Sequence, residues 1–196
     1  MKAQWVGLIV IFLVASWRMA WPAFAAAADA GIPVLALDKP EALGKLSPKN
    51  AQIEWLRPGA MRVAFALADW PNVFFAAGKA YERQDWREFG ALALEMANPG
   101  DETVDVYVRV DDDAKADGLN HCRTGRAKIG PKERVTLVLE FESSTPGMRG
   151  APPLPVLANA RRMEYHGKPL DMSHIVAFQV FLPKPKAPRT LELANP

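Results

Sequence analysis

The sequence holds one cysteine, Cys122, in 196 residues. No internal disulfide can form, and no cysteine pair exists to hold zinc. There are only three histidines, and His121, His166 and His174 lie too far apart along the chain to show ligand spacing. No G-x-x-x-x-G-K-[ST] loop and no H-E-x-x-H pair occurs, which removes P-loop nucleotide chemistry and zincin proteolysis. No serine sits in a G-x-S-x-G elbow, although a triad of another spacing stays open. Helical periodicity is scarce and confined to 78–87 and 157–163. Charge of one sign is lacking too, with 24 basic against 22 acidic side chains.

One apolar run exists, and it is at the start. Lys2 is followed by an apolar stretch over 6–17, then Pro22 and the small residues Ala23 and Ala25, the pattern that signal peptidase accepts. Residues 1–25 therefore read as a cleaved signal peptide and the protein as exported, secreted or periplasmic. The run is short for a span of roughly 20 apolar residues and Arg18 interrupts it, so no stable membrane span is expected after cleavage. Cleavage removes Lys2 and Arg18 and leaves 22 basic against 22 acidic groups. A neutral chain has no electrostatic case for binding nucleic acid.

What is present is alternation. Residues 26–50, broken by Gly31, Pro33, Pro40 and Pro48, read as an extended entry segment. Strand signals then recur at 52–56, 61–67, 73–76, 91–97, 104–110, 126–129, 135–141, 175–182 and 190–193. At 104–110 valines take every second position, the pattern of a half-buried antiparallel strand. The turn Asn98-Pro99-Gly100-Asp101 would join 91–97 to 104–110 as a hairpin. About nine short strands with turns between them indicate an all-β fold, an antiparallel β-sandwich over 51–196. One long irregular loop is expected at 143–173, rich in proline and without periodicity.

Two polar constellations are candidates for chemistry. The first runs from Asp111 through Asp112, Asp113, Asp117, Asn120, His121 and Arg123 to Gly125. Carboxylates only accept hydrogen bonds and a guanidinium only donates, so together they complement sugar hydroxyls, which do both. Clustered Asp and Asn oxygens also leave a structural calcium open, though the spacing is not an EF-hand. A solvated acidic turn is the plain alternative. The second is Pro146-Gly147-Met148-Arg149-Gly150, where stiff flanks would present Arg149; a surface linker is its alternative. Trp55, Trp70, Trp86 and Tyr107 are the aromatics on which a pyranose face could stack. Trp86 can equally close the end of the sandwich.

The run Asp85-Trp86…Phe89-Gly90-Ala91-Leu92-Ala93-Leu94…Asn98-Pro99-Gly100-Asp101, the piece Asn120-His121-Cys122-Arg123-Thr124-Gly125, and the pieces Pro146-Gly147-Met148-Arg149-Gly150 and Asp171-Met172-Ser173-His174-Ile175 together resemble a known module. It is the N-terminal galactose-binding-like (jelly-roll) β-sandwich of bacterial β-agarase-type glycoside hydrolases. The resemblance runs from about Val63 to the C-terminus. It implies a carbohydrate-binding-like module that meets a galactan-type, agar-like polysaccharide or the catalytic domain of a glycoside hydrolase. Trp86, Asp112, Asn120, His121, Arg123 and Arg149 are the expected contacts. A non-sugar docking domain and a remnant of a truncated glycoside hydrolase are the alternatives. No catalysis is expected, because the barrel of such enzymes needs typically ~250 residues. No cofactor is expected beyond the calcium noted above. The chain departs from the pattern at Ala194, where the resemblance implies an aspartate; if that aspartate helps hold a structural calcium in relatives, the site is in doubt here.

Overall fold

A computed structural model describes residues 34, 35, 37–141, 157 and 159–194. The expected signal peptide and Arg149 lie outside the described residues. So does most of the first half of the 143–173 segment.

Among the described residues, a 3-10 turn at Pro40–Lys45 is followed by twelve strands. They are β1 (Ser47–Lys49), β2 (Ala51–Arg57), β3 (Ala60–Phe65), β4 (Asn72–Ala76), β5 (Ala91–Ala97) and β6 (Val104–Asp111). β7 (Cys122–Ile129), β8 (Arg134–Glu140), β9 (Ala160–Arg162), β10 (Glu164–Gly167), β11 (Ala177–Phe181) and β12 (Arg189–Ala194) follow. Sheet one has the order β1-β4-β11-β6-β7-β10 and sheet two β2-β3-β12-β5-β8-β9. Every pairing is antiparallel except β8 with β9. The all-β sandwich expected from the alternation is the fold.

Each strand buries the face its pattern assigns to the core. Val104, Val106, Val108 and Val110 of β6 are buried, as are Leu92, Leu94 and Met96 of β5. Phe75 of β4 stacks on Phe178 of β11 at 4.4 Å and 7°. Gly125 also faces inward. A Cβ there would stand 2.9 Å from Leu139 Cδ1 and 3.0 Å from Met163 Cβ, so the side chains of β8 and of the link between β9 and β10 take the space a larger residue would need.

Four expectations change. β5 and β6 are not a hairpin: β5 pairs with β8 and β12 in sheet two, β6 with β7 and β11 in sheet one. The 98–103 connection is an arch that carries the chain between the layers, and 130–133 is a second one. Each strand has one apolar face, and stacking those faces buries both against each other. Period-two alternation is identical in a hairpin and an arch, so the pattern could not choose. Neither 78–87 nor 157–163 is helical; β9 falls in the second. The loop expected over 143–173 contains β9 and β10 in its second half. The segment 26–50, expected to be extended, holds the 3-10 turn and β1, which pairs with β4.

The arches are joined by Asn98, only 1% exposed. Its Nδ2 donates to the carbonyls of Glu102 (2.8 Å), Ile129 (3.2 Å) and Gly130 (2.9 Å), and its Oδ1 accepts from the Gly100 N–H (2.9 Å). The Asn98 N–H donates to the Glu133 carbonyl at 2.8 Å. One amide therefore ties both crossings together with its own donors and acceptors satisfied.

Candidate functional site

The other end of β6 opens into a cleft of ≈ 490 Å³ lined by Asp112, Asp113, Asn120, His121, Lys168 and Asp171 among others. It is assembled from two connections, 112–121 between β6 and β7 and 168–176 between β10 and β11. Register brings them together, because β7 pairs with β10 and β6 with β11.

Asp112 is the inner post of the cleft. It is 8% exposed. Its Oδ2 accepts from the Asp171 N–H at 2.6 Å, which latches the second connection to the first. Its Oδ1 lies 3.0 Å from His121 Nδ1. A carboxylate facing Nδ1 favours the tautomer with the proton on that nitrogen, which leaves Nε2 as the ring's acceptor in the neutral form. The Asp112 N–H donates to the His121 carbonyl at 3.1 Å and closes the base of the loop. His121 takes φ 58°, a left-handed conformation that histidine tolerates better than bulky residues do. Its side chain is 56% exposed.

Around that pair stand donors and acceptors of both kinds. Asn120 Oδ1 accepts from Lys168 Nζ at 2.7 Å. Asp117 accepts from the N–H groups of Asn120 (2.7 Å) and Leu119 (2.8 Å) and from Asn120 Nδ2 (3.0 Å). The backbone N–H of Asn120, then its side chain, then Leu119 hold the Asp117 carboxyl down to about 2. Asp171 accepts from Ser173 N–H at 3.0 Å and Oγ–H at 2.6 Å, and these bonds lower its carboxyl below the usual range. Lys168 and Asp171 belong to the cleft and no spacing rule pointed to them; only the pairing of β10 with β7 puts them beside Asn120.

The structure splits the expected contacts. Asp112, Asn120 and His121 come together in the cleft. Trp86 does not join them. It is 3% exposed, packs among Tyr81, Phe141 and Phe178, and donates its Nε1–H to the Arg83 carbonyl at 2.8 Å. It closes the sandwich and has no ring face to offer a sugar. Arg123 is corrected in the same way. It sits on the inward face of β7, 2% exposed. Its Nη1 donates to the Glu140 carbonyl at 2.9 Å and to the Phe141 carbonyl, and its guanidinium lies 4.8 Å from the Tyr165 ring centroid. Burial pulls its pKa down. His121 stands just before β7 in a left-handed conformation (φ 58°), outside the strand's alternation, and its side chain is exposed. Of the other aromatics, Trp55 donates to the Leu37 carbonyl at 3.3 Å, while Trp70 is half exposed and reaches the outer face of sheet one with Tyr107.

In the acidic run the neighbouring carboxylates turn to separate partners. Asp111 turns to Arg109, with Oδ1 2.8 Å from Nε, Asp112 turns to His121, and Asp113 accepts from the Lys115 N–H at 2.7 Å. Three neighbouring carboxylates thus face three different partners. Among the described residues no group of three or more His, Cys, Asp or Glu side chains converges to hold a metal ion. Among the same residues no helix is long and apolar enough to cross a membrane.

Comparison with known proteins meets this geometry. The chain is 31% identical over 142 residues to Beta-agarase B of Vibrio sp. (strain JT0107), a match covering 65% of this chain and 14% of that protein. The match therefore falls on one part of that protein. Among solved structures, an agarase, AgWH50C, superposes on this chain with TM-score 0.65 at 13% identity, over 84% of this chain and 24% of the other. An exo-beta-agarase does so with TM-score 0.63 at 17% identity, over 83% and 24%. At such identities the superpositions establish the shared fold. The chain spans about a seventh of the length of the curated relative and about a quarter of each solved agarase chain. No family model matches the chain.

Proposed function

We propose that the protein is an exported, non-catalytic carbohydrate-binding module that holds galactan-type, agar-like polysaccharide in the cleft at the end of the sandwich. The observation that carries this reading is the His121–Asp112 pair. A buried carboxylate fixes an exposed imidazole beside Asn120 and Lys168, in a shallow polar cleft whose groups both donate and accept. Sugar hydroxyls need that mixture. Kinship with Beta-agarase B supports agar as the polysaccharide, and the leader read at 1–25 supports export. Binding is weak, because each hydrogen bond to sugar replaces one to water and the net gain per bond is about 1 kcal/mol.

Affinity electrophoresis through agarose tests it. The folded protein is retarded relative to a gel without galactan, and His121→Ala removes most of the retardation while the protein stays folded at the assay temperature. Unretarded migration of the folded, unsubstituted protein would end this reading.

A second reading has the same cleft dock on the catalytic domain of a glycoside hydrolase. It is favoured by the matched agarase chains, of which the shared region is only about a quarter. Mixing the protein with an agarase catalytic domain distinguishes the two: co-elution that His121→Ala abolishes, without retardation by agarose, selects docking.

A further inference from the structure

The outer face of sheet one carries a feature that the cleft does not use. Tyr107 of β6 lies directly opposite Phe181 of β11 on one side and Arg126 of β7 on the other. All three are on the outward side, since the valines of β6 take the core. The Tyr107 and Phe181 rings are 5.2 Å apart, the Phe181 and Trp70 rings 5.9 Å, and the Arg126 guanidinium is 5.8 Å from the Tyr107 centroid. The result is a continuous row, Trp70–Phe181–Tyr107–Arg126, laid across three strands. Gln179 and Arg109 form a parallel polar row two positions along the same strands. With its amide oxygen turned to Arg109, Gln179 accepts from Nη2 at 3.0 Å and Nε at 2.9 Å, which leaves its NH2 group as a donor.

We propose that this outer face is a second binding surface, on which the chain of a neutral polysaccharide lies with its pyranose rings against the aromatic row and its hydroxyls against the polar row. Three observations select that ligand. The two arginines of these rows are paired, Arg109 with Asp111 at 2.8 Å and Arg126 with Asp105 at 3.0 Å. A phosphate backbone or sulfated ligand needs unpaired positive charge, and these pairs withhold it. Trp70 is 50% exposed, and it holds φ 56° immediately before Pro71, with its carbonyl accepting from Asn72 Nδ2 at 3.0 Å. A bulky residue in the left-handed region is strained, so the backbone bears a cost to keep this indole at the rim of the face. Single exposed apolar side chains are ordinary; a row of adjoining rings beside paired charges and an amide is a platform with hydroxyl partners along its side.

The choice of agarose as probe rests on the function proposed above, while the location of this surface does not. The test is an NMR titration of the isotope-labelled whole chain with short and long agarose oligosaccharides. It follows the Trp70 indole N–H and the Tyr107 amide against the amides of Asn120 and His121. The expected result is a saturable shift at Trp70 and Tyr107. In Trp70→Ala with Tyr107→Ala the affinity falls about ten-fold, a loss of about 1.4 kcal/mol, with the melting curve unchanged. Shifts confined to the Asn120–His121 loop overturn this inference and leave the cleft reading standing. Shifts at the aromatic row alone uphold it and remove the cleft. No shift at either place overturns both. Because the titration uses the unsubstituted chain, instability of the variants cannot mask the outcome.

Discussion

At one end of β6 the buried polar group is an amide, and at the other it is a carboxylate. Asn98 satisfies its donors and acceptors with carbonyls and N–H groups of the two arches and has nothing left for a partner. Asp112 spends one oxygen on the backbone of Asp171 and the other on His121, whose far side is open to solvent. Both ends are polar loops joining strands of the same sandwich. The difference is that the arch end closes its hydrogen bonds on the chain itself, while the cleft end leaves groups of both polarities unclosed. A polar cluster becomes a binding site when the fold holds some of its members rigidly and leaves others unpaired, as P-loop-free scaffolds of many kinds do with surface loops.

That contrast can be broken. Asn98→Ala would strand several buried carbonyls, at about 1–3 kcal/mol for each group left unsatisfied. We expect a loss of roughly 3 kcal/mol and a melting temperature lower by about 10 °C, with agarose retardation retained below the melt. A stable Asn98→Ala protein would show that the arches do not depend on this amide. Gly167→Ala comes next. Gly167 has φ 119°, and a Cβ there would sit 2.5 Å from the Cys122 carbonyl oxygen. We expect a loss of about 2 kcal/mol, together with weaker retardation, because Lys168 follows it into the cleft. Stability lost without any change in binding would mean that the cleft tolerates a displaced floor.

His121→Ala sharpens the contrast from the other side. Loss of the ring takes one partner from Asp112 Oδ1 but opens that oxygen to water, so stability falls by only about 1 kcal/mol, while galactan affinity falls about ten-fold, or about 1.4 kcal/mol. Equal losses in urea melts and in retardation would reduce His121 to a structural part. The smallest effect concerns pH. Burial raises the Asp111 carboxyl above its ordinary 3.8, against the lowering pull of Arg109. Between 3.8 and the folded value the unfolded chain is ionised and the folded one holds the proton, so stability declines as pH rises through that window. Asp111→Asn should flatten this decline in urea melts taken across the acid range. A decline of unchanged steepness would assign it to other carboxylates.

The strands were legible because alternation is a local property. The valines of β6 and the Leu-Leu-Met series of β5 marked their buried faces before any partner was known. Partner choice was not legible. A hairpin and an arch present the same alternation and the same Asn-Pro-Gly-Asp turn signal, and only the burial of Asn98 between 98–103 and 130–133 separates them. β9 and β10 were hidden for a related reason: at three and four residues they are too short for periodicity and exist through pairing with β8 and β7. In the candidate site, Asp112, Asn120 and His121 were visible as a polar run, whereas Arg123 and Trp86 looked like contacts because residue type says nothing about which side a residue faces.

Taken alone, the sequence determined the class of fold, the inward and outward faces of its long strands, and the polar loop after β6, since each depends on residues close together along the chain. Tertiary structure decided which strands became neighbours, and with them whether Arg123 would be a ligand contact or a buried brace. It also brought Lys168 and Asp171 to Asn120 and His121, and laid Tyr107 beside Phe181 and Trp70. These are contacts between distant segments. They are set by how two apolar faces stack and by which backbone groups must find a partner once water has been excluded.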